Sequence, residues 1–386
     1  MITHFSPRTA LTTCALCAAA VLALTPVAVA AGAEPTPPGV PGAAVPDPSF
    51  LYREGTQVRP HHGAPRVPDV SALSWLVADA RSGDVLAAHE AHRKLPPAST
   101  LKTLFALTVL PALPVGDRHT VREEELEGIG EGSSRVGVAE GRTYRIADLW
   151  RGVFLNSGND AVHVLASLNG GLQTTVERMQ AKARALGALD TQVRSPDGYD
   201  TPGQVSSAYD LAVFGRAGLR NPDFARYCGT AVSRFPGGGG WSYEIENTNR
   251  LLTGADGVEP YPGLIGVKNG YTTDAGNTLV AAARRGGRTL VVTVMNPQAG
   301  GGFTVYEEAR DLLDWGFEAA GRVEPVGSLD ALLAKPRPGP HATPVAVAPD
   351  GGSGWPTAGV VSGAAVLGAA AVVLVLWGRR GMSARS

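Results

Sequence analysis

The 386-residue chain is poor in cysteine, in lysine and in net charge. Two of its three cysteines, Cys14 and Cys17, fall in an apolar N-terminal run that reads as a leader. Without that run only Cys228 remains, so the chain can form no internal disulfide and its core must hold by packing. A lone cysteine of this kind reads as a packed side chain before it reads as a nucleophile. Lys and Arg number 34 against 35 Asp and Glu, a formal charge of -1, which excludes the basic field that bulk nucleic-acid binding needs. Only five residues are lysine: Lys94, Lys102, Lys182, Lys268 and Lys335. Any motif built on lysine therefore uses a scarce residue. The adjacent His61 and His62 have no further ligands spaced near them, so no metal is expected, and no organic cofactor is implied. Hydrophobic residues at 44% and charged residues at 18% exclude global disorder.

The two ends carry targeting signals. Arg8 precedes the apolar run Ala15–Leu24, Pro26 breaks it, and Ala28-Val29-Ala30 and Ala31-Gly32-Ala33 both fit a small-x-small cleavage site. Residues 1–33 thus read as a signal peptide. Thr357 to Trp377 contains no charged residue, and as a helix it would extend roughly 30 Å, enough to span a bilayer. Arg379, Arg380 and Arg385 follow it, which makes 378–386 a cytoplasmic tail and places everything before the span outside the cell membrane.

Between these ends, 34–69 is rich in Pro, Gly and His and reads as an extended linker, and 327–356 reads as a stalk. The ordered domain is expected over 70–326. Ser74–Ala80 and Val85–His89 flank Arg81-Ser82-Gly83-Asp84 as a hairpin, and Thr278–Ala283 and Thr289–Met295 form a second one turning at Gly286-Gly287. Leu101, Leu104, Phe105 and Thr108 share a helical face that Pro111 ends. Ile146–Leu155 and Ala161–Leu168 read as helices about the polar corner Asn156–Asp160, and Thr304–Ala319 as a final amphipathic helix. Hairpins at both ends of the domain, with helices between and after, predict an α/β fold: an antiparallel sheet, the domain's ends side by side, and helices around it.

Three short motifs could carry chemistry. Ser99-Thr100-Leu101-Lys102 puts a hydroxyl at a helix start and an amine one turn later on the same face. A serine hydroxyl needs a base, and a lysine whose pKa is lowered can be that base. By itself the pattern is common on surfaces. Ser157-Gly158-Asn159 places a hydroxyl and an amide on a tight corner, where such residues also make plain turns. Gly266-Val267-Lys268-Asn269-Gly270-Tyr271-Thr272 precedes the strand at Thr278. Its lysine suits a strand edge along which a ligand backbone could lie, or one that is merely protected by a solvated charge.

In this order, S-x-x-K, S-x-N and K-x-G form the set found in penicillin-binding proteins and class A β-lactamases, and two of the five lysines occupy its lysine positions. With Pro97-Ala98-Ser99-Thr100, Asn156–Ala161, Asn249-Arg250-Leu251-Leu252 and Gly270–Gly276, the sequence resembles the serine-type D-alanyl-D-alanine carboxypeptidases, the low-molecular-mass penicillin-binding proteins, from about Ser74 to Phe317. The resemblance implies a β-lactamase/transpeptidase-like fold with the sheet sandwiched by helices. It implies as substrate a peptidoglycan stem peptide ending in D-Ala-D-Ala, and β-lactams as inhibitors. Ser99 would attack the carbonyl of the penultimate D-Ala, Lys102 would be the base, and Ser157 would relay a proton to the leaving amine. Asn159 and Lys268 would hold the substrate, with Lys268 also keeping Lys102 neutral by like-charge repulsion. Backbone N–H groups of Ser99 and Tyr271 would form the oxyanion hole, with Asn269 and Gly270 completing the substrate-binding strand. One departure stands out: the family usually has Lys-Thr-Gly where this chain has Lys268-Asn269-Gly270, so an amide donor replaces a hydroxyl at the substrate carboxylate. No arginine lies between Met295 and Arg310, where some relatives place a basic residue.

Three alternatives use the same site. A class A β-lactamase carries Glu-x-x-Leu-Asn well after S-x-N, but here Leu168-Asn169 comes too soon and Leu165 stands where the Glu would be. A non-enzymatic β-lactam or muropeptide sensor would need more than the short tail to signal. An endopeptidase or transpeptidase differs only in which amide is cut, or whether an amine replaces water.

Overall fold

The computed structural model describes residues 47–330. The segments read as signal peptide, transmembrane span, tail and most of the stalk lie outside these residues; among the described ones no helix is long and apolar enough to cross a membrane.

The chain enters at Asp47, whose carboxylate accepts from Ser49 N–H and caps a 3-10 turn, Pro48–Tyr52, that buries Leu51. Strand β1 (Thr56–Pro60) follows, then β2 (Ala72–Asp79) and β3 (Asp84–His89). A 3-10 turn, Ala98–Leu101, leads into helix α1 (Lys102–Val109), and a further turn holds Pro111, which cannot continue the helix. The short pair β4 (Arg118–Thr120) and β5 (Thr143–Arg145) encloses a loop. Helices α2 (Ile146–Leu155), α3 (Asn159–Leu168), α4 (Leu172–Ala185), α5 (Ala208–Leu219) and α6 (Pro222–Cys228) then form the helical region. A hairpin of β6 (Val232–Gly238) and β7 (Trp241–Glu246) precedes the one-turn helix α7 (Arg250–Thr253). Strands β8 (Leu264–Thr272), β9 (Gly276–Arg285) and β10 (Arg288–Pro297), helix α8 (Thr304–Ala319) and the short strands β11 (Val323–Glu324) and β12 (Gly327–Ser328) complete it.

The main sheet runs β11-β1-β3-β2-β10-β9-β8, with β12 added to β3, and every pairing is antiparallel. Its central strands are buried on both faces. Along β9, Val280 and Ala282 face the helices α1 to α6, while Leu279, Ala281 and Ala283 face α8. In β10, Val291 faces the first layer and Leu290, Val292 and Val294 the second. Alternation with period two puts successive side chains into opposite cores, and apolar residues at both parities demand cover on both sides. Helix α8 supplies one cover with Val305, Ala309, Leu312, Leu313 and Ala319, a stripe at three- and four-residue spacing. Both expected hairpins and the Thr304–Ala319 helix are present. At the second hairpin Gly286 and Gly287 have φ of 55° and 79°, the left-handed values a two-residue turn requires.

Two expectations are corrected. The linker reading of 34–69 fails from Asp47 onward: β1 pairs with β3 through Thr56↔His89, Gln57↔Ala88 and Val58↔Ala87, and with β11 through Arg59↔Glu324. Likewise 327–330 is not stalk, since β12 pairs with β3 and Leu329 is buried. A strand near the sheet margin is held by backbone pairing as well as by side-chain burial, so Thr-Gln-Val-Arg-Pro shows no apolar pattern.

Candidate active site

Ser99 sits in the Ala98–Leu101 turn, and Ala98 before it takes φ +48°, a left-handed value rare for a residue with a β-carbon. The surroundings enforce it. Pro97 carbonyl oxygen accepts from the hydroxyls of Thr100 and, at 3.0 Å, of Thr278 on β9. Gly198 presses on Ala98 from the other side, where a β-carbon would stand 2.0 Å from the Ala98 oxygen. The turn is thus clamped between the sheet and a loop before α5.

Lys102 lies one turn on, fully buried, with Nζ 2.8 Å from Ser99 Oγ and 2.6 Å from the Asp197 carbonyl oxygen. Burial pushes its amine down to about 8, against the pull of the Asp197 and Asp160 carboxylates. Lys268 is 1% exposed on edge strand β8, so it is not a solvated charge guarding the edge. Burial and then the charge of Lys102 hold it well below the ordinary lysine range. The expected repulsion between the two lysines is therefore seen at Lys268, while at Lys102 the lowering comes from burial.

Ser157 closes α2 with φ +55° and is buried, its hydroxyl without a hydrogen-bond partner among the described residues. A plain surface turn would leave that hydroxyl in water; here it is desolvated, at a cost of about 1–3 kcal/mol. The corner is fixed around it. Asn159 N–H donates to Ser134 oxygen at 2.8 Å, and Asn156 Nδ2 to Arg135 oxygen at 2.7 Å. The Asp160 carboxylate accepts from the N–H groups of Val136, Gly137, Val138 and Ala161. This buried carboxylate pins the 134–138 segment across the corner. Asn159 is 5% exposed and its Oδ1 also lacks a partner.

Between corner and strand lies a cleft of about 220 Å³ whose walls include Ser99, Asn159, Tyr199 and Tyr271, with Glu131 and Asp200 at its side. Tyr271 is 68% exposed, so its ring stands at the rim. Gly270 precedes it on β8, beside the Ser99 turn. The Asn269 Oδ1 accepts from Thr248 Oγ1 at 2.8 Å, which leaves its NH2 as the amide's donor end, and Lys268 Nζ donates to the Asn269 backbone oxygen at 2.7 Å. Ser99, Lys102 and Lys268 are thus close together, and Asn159 and Tyr271 share the cleft with Ser99. Ser157 and Lys268 are buried and do not line its open wall.

Sequence reasoning missed Asp197, Gly198 and Thr278. Asp197 acts on Lys102 through a main-chain oxygen, which any residue offers, so its identity gave no signal. Among the described residues no group of three or more His, Cys, Asp or Glu is placed to hold a metal. Cys228 is buried and its thiol is pushed up to about 12 by burial, which makes it a packed side chain and not a nucleophile.

An antiparallel sheet between helical layers, with a serine and a buried lysine in hydrogen-bond contact beside an edge strand, defines a serine hydrolase of the penicillin-binding class. The family model for D-alanyl-D-alanine carboxypeptidases, peptidase S11, matches residues 61–299, and the chain belongs to that family. The D-alanyl-D-alanine carboxypeptidase DacB2 of Mycobacterium tuberculosis H37Rv is 42% identical over 270 residues, 69% of this chain and 89% of that protein. DacD of Escherichia coli K12 is 34% identical over 266 residues, 66% of this chain and 65% of that protein, so the match spans just under two thirds of that relative. The crystal structure of a D-alanyl-D-alanine carboxypeptidase from Mycobacterium tuberculosis H37Rv superposes with a TM-score of 0.64 at 40% identity, covering 70% of this chain and all of that one.

Proposed function

We propose that the chain is a membrane-anchored carboxypeptidase that removes the terminal D-Ala from peptidoglycan stem pentapeptides through an acyl-enzyme on Ser99. The observation that carries this reading is the 2.8 Å contact between Ser99 Oγ and the buried Lys102 Nζ, an amine held at about 8 and so partly neutral near physiological pH. Ser99 Oγ attacks the carbonyl carbon of the penultimate D-Ala and its proton passes to Lys102 Nζ. The C–N bond breaks, and Lys102 gives that proton through the Ser157 hydroxyl to the leaving D-Ala amine, which leaves Lys102 neutral again. Water then cleaves the Ser99 ester: its hydroxyl adds to the acyl carbon, its proton goes to Lys102, and Lys102 returns a proton to Ser99 Oγ as the ester bond breaks. Asn159 and the Asn269 amide orient the peptide and its carboxylate, the Lys268 amine supplies further N–H donors there, and the N–H groups of Ser99 and Tyr271 receive the oxyanion. The signal peptide at 1–33 and the span at 357–377 support a single-pass anchor with the domain outside the cell membrane.

The test is the intact mass of the full chain after benzylpenicillin, beside Ser99→Ala, followed by D-Ala release from a stem pentapeptide. One penicilloyl adduct on the wild type, none on the variant, and catalytic release of D-Ala are expected. An adduct on Ser99→Ala would sink the site assignment, and an adduct without turnover would favour a sensor.

A further inference from the structure

Behind Lys102 lies a second pair of buried ionisable groups that the scheme above does not use. Asp197 is 3% exposed and touches Lys102 through its main chain, its carbonyl oxygen 2.6 Å from Nζ. The loop holds its carboxylate: Oδ1 accepts from Ser195 Oγ at 2.8 Å and from Tyr199 N–H at 3.0 Å. Its Oδ2 faces Nε2 of His163, on α3, at 3.6 Å. His163 is 6% exposed, and its Nδ1 lies 3.2 Å from the Glu127 carbonyl oxygen. A carbonyl only accepts, so Nδ1 carries its proton there, and Nε2 is the atom turned toward the Asp197 carboxylate. The other charge acting on Lys102 is that of Asp160 on α3, tied down by four backbone N–H groups, while Lys268 on β8 responds to the charge of Lys102.

We propose that Asp197 and His163 are positioning residues for acylation: they seat the Lys102 amine beside Ser99, and the pair's charge sets the pH at which that amine can accept the serine proton. The inference rests on the reading of Lys102 as base. A carboxylate in a buried site stabilises a neighbouring ammonium, while burial works against it, so the balance depends on how far His163 compensates Asp197. Although its own burial favours protonation, Asp197 is held at about 2 by the His163 ring, the Lys102 charge and its loop bonds, so it stays a carboxylate at working pH.

The experiment measures the rate constant for acylation of the full chain by a fluorescent penicillin between pH 5.5 and 10. Wild type is compared with Asp197→Asn, His163→Gln and Lys102→Ala. Asparagine keeps an acceptor oxygen for Ser195 and Tyr199 but removes the charge, so the acidic limb should move about one unit toward acid. Glutamine removes the ring whose bond draws on the Asp197 carboxylate, leaving more of that negative charge to act on Lys102, so the limb should move toward alkali. Only a charge effect drives the two limbs apart. Limbs that stay in place, or move the same way, with rates lowered at every pH, would reduce the pair to packing and overturn the proposal. Because the readout is a rate constant, a partly unfolded preparation changes the amplitude and not the limb; if Asp197→Asn does not fold, His163→Gln decides. Wild-type labelling by Lys102→Ala would instead remove the base on which the proposal rests.

Discussion

Gly270 lies flush against the backbone of Ser99: a β-carbon on Gly270 would stand 2.6 Å from the Ser99 nitrogen and 3.0 Å from Ala98 Cβ. Strand β8 and the nucleophile turn thus meet without an intervening side chain. Gly270→Ala must push Ser99 away from Lys102 or from the strand. A displacement near 1 Å costs about 100-fold in rate, so acylation should fall by that order while the melting temperature changes little. Stopped-flow labelling checks it; a rate within threefold of wild type would mean that the contact does not position Ser99.

The same burial that lowers Lys102 burdens the fold. Its folded-state pKa is depressed to about 8 from 10.5, so the unfolded chain holds this proton more tightly. The penalty is present below about 8 and fades as pH rises toward 10.5. Lys102→Met should abolish labelling yet stabilise the domain at pH 7 by roughly 1–3 kcal/mol, after allowing for the lost hydrogen bonds. Denaturant unfolding of the two proteins settles it, and a less stable variant would show that the bonds to Ser99 and Asp197 outweigh desolvation.

Asp210 gives a pH dependence of a different sign. Burial, with the Asp190 charge, raises it to about 7 despite its bonds from Thr191. Here the folded state binds the proton more tightly. This contribution is complete below 3.8, declines as pH rises, and is gone above about 7. The melting temperature of wild type minus that of Asp210→Asn should therefore fall between pH 4 and 7. A flat difference across that window would place Asp210 in its ordinary range.

At the carboxylate end of the substrate, Asn269→Ala should weaken recognition of a free C-terminus. Losing one charge-assisted hydrogen bond of about 1.5–3 kcal/mol lowers kcat/KM by roughly 10- to 100-fold. Asn269→Thr should restore most of it. The control is a peptide whose terminal carboxylate is amidated: equal losses on both peptides would mean that Asn269 acts through the strand and not through the carboxylate.

Much of this was legible in the sequence, for physical reasons. The Thr304–Ala319 helix has a regular apolar stripe, the β9–β10 hairpin has dense β-branched residues and a Gly-Gly turn, and the two motif lysines stand out because lysine is so scarce. Strand β1 was not legible, because Thr56↔His89 pairing joins residues far apart in the chain through groups every residue carries. The same holds at the site. Ser99 and Lys102 announce themselves at helical spacing, whereas Asp197 reaches Lys102 across 95 positions by a carbonyl oxygen. His163 lies within α3 and meets Asp197 from a distant loop, so nothing in its local sequence signals the pair.

The described chain begins and ends at the sheet margin away from β8. Leu51 packs on Gly327, β1 is zipped to β11, and six strand spacings of about 4.8 Å, roughly 29 Å, separate β11 from the catalytic edge. A tether at either end therefore attaches through β1, β3, β11 and β12, with Ser328 and Asp330 also bonded to α5 by Tyr209 and Arg216. None of these attachment points lies on β8 or in the Ser99 turn, so a domain built this way can be leashed at both ends well away from its catalytic edge.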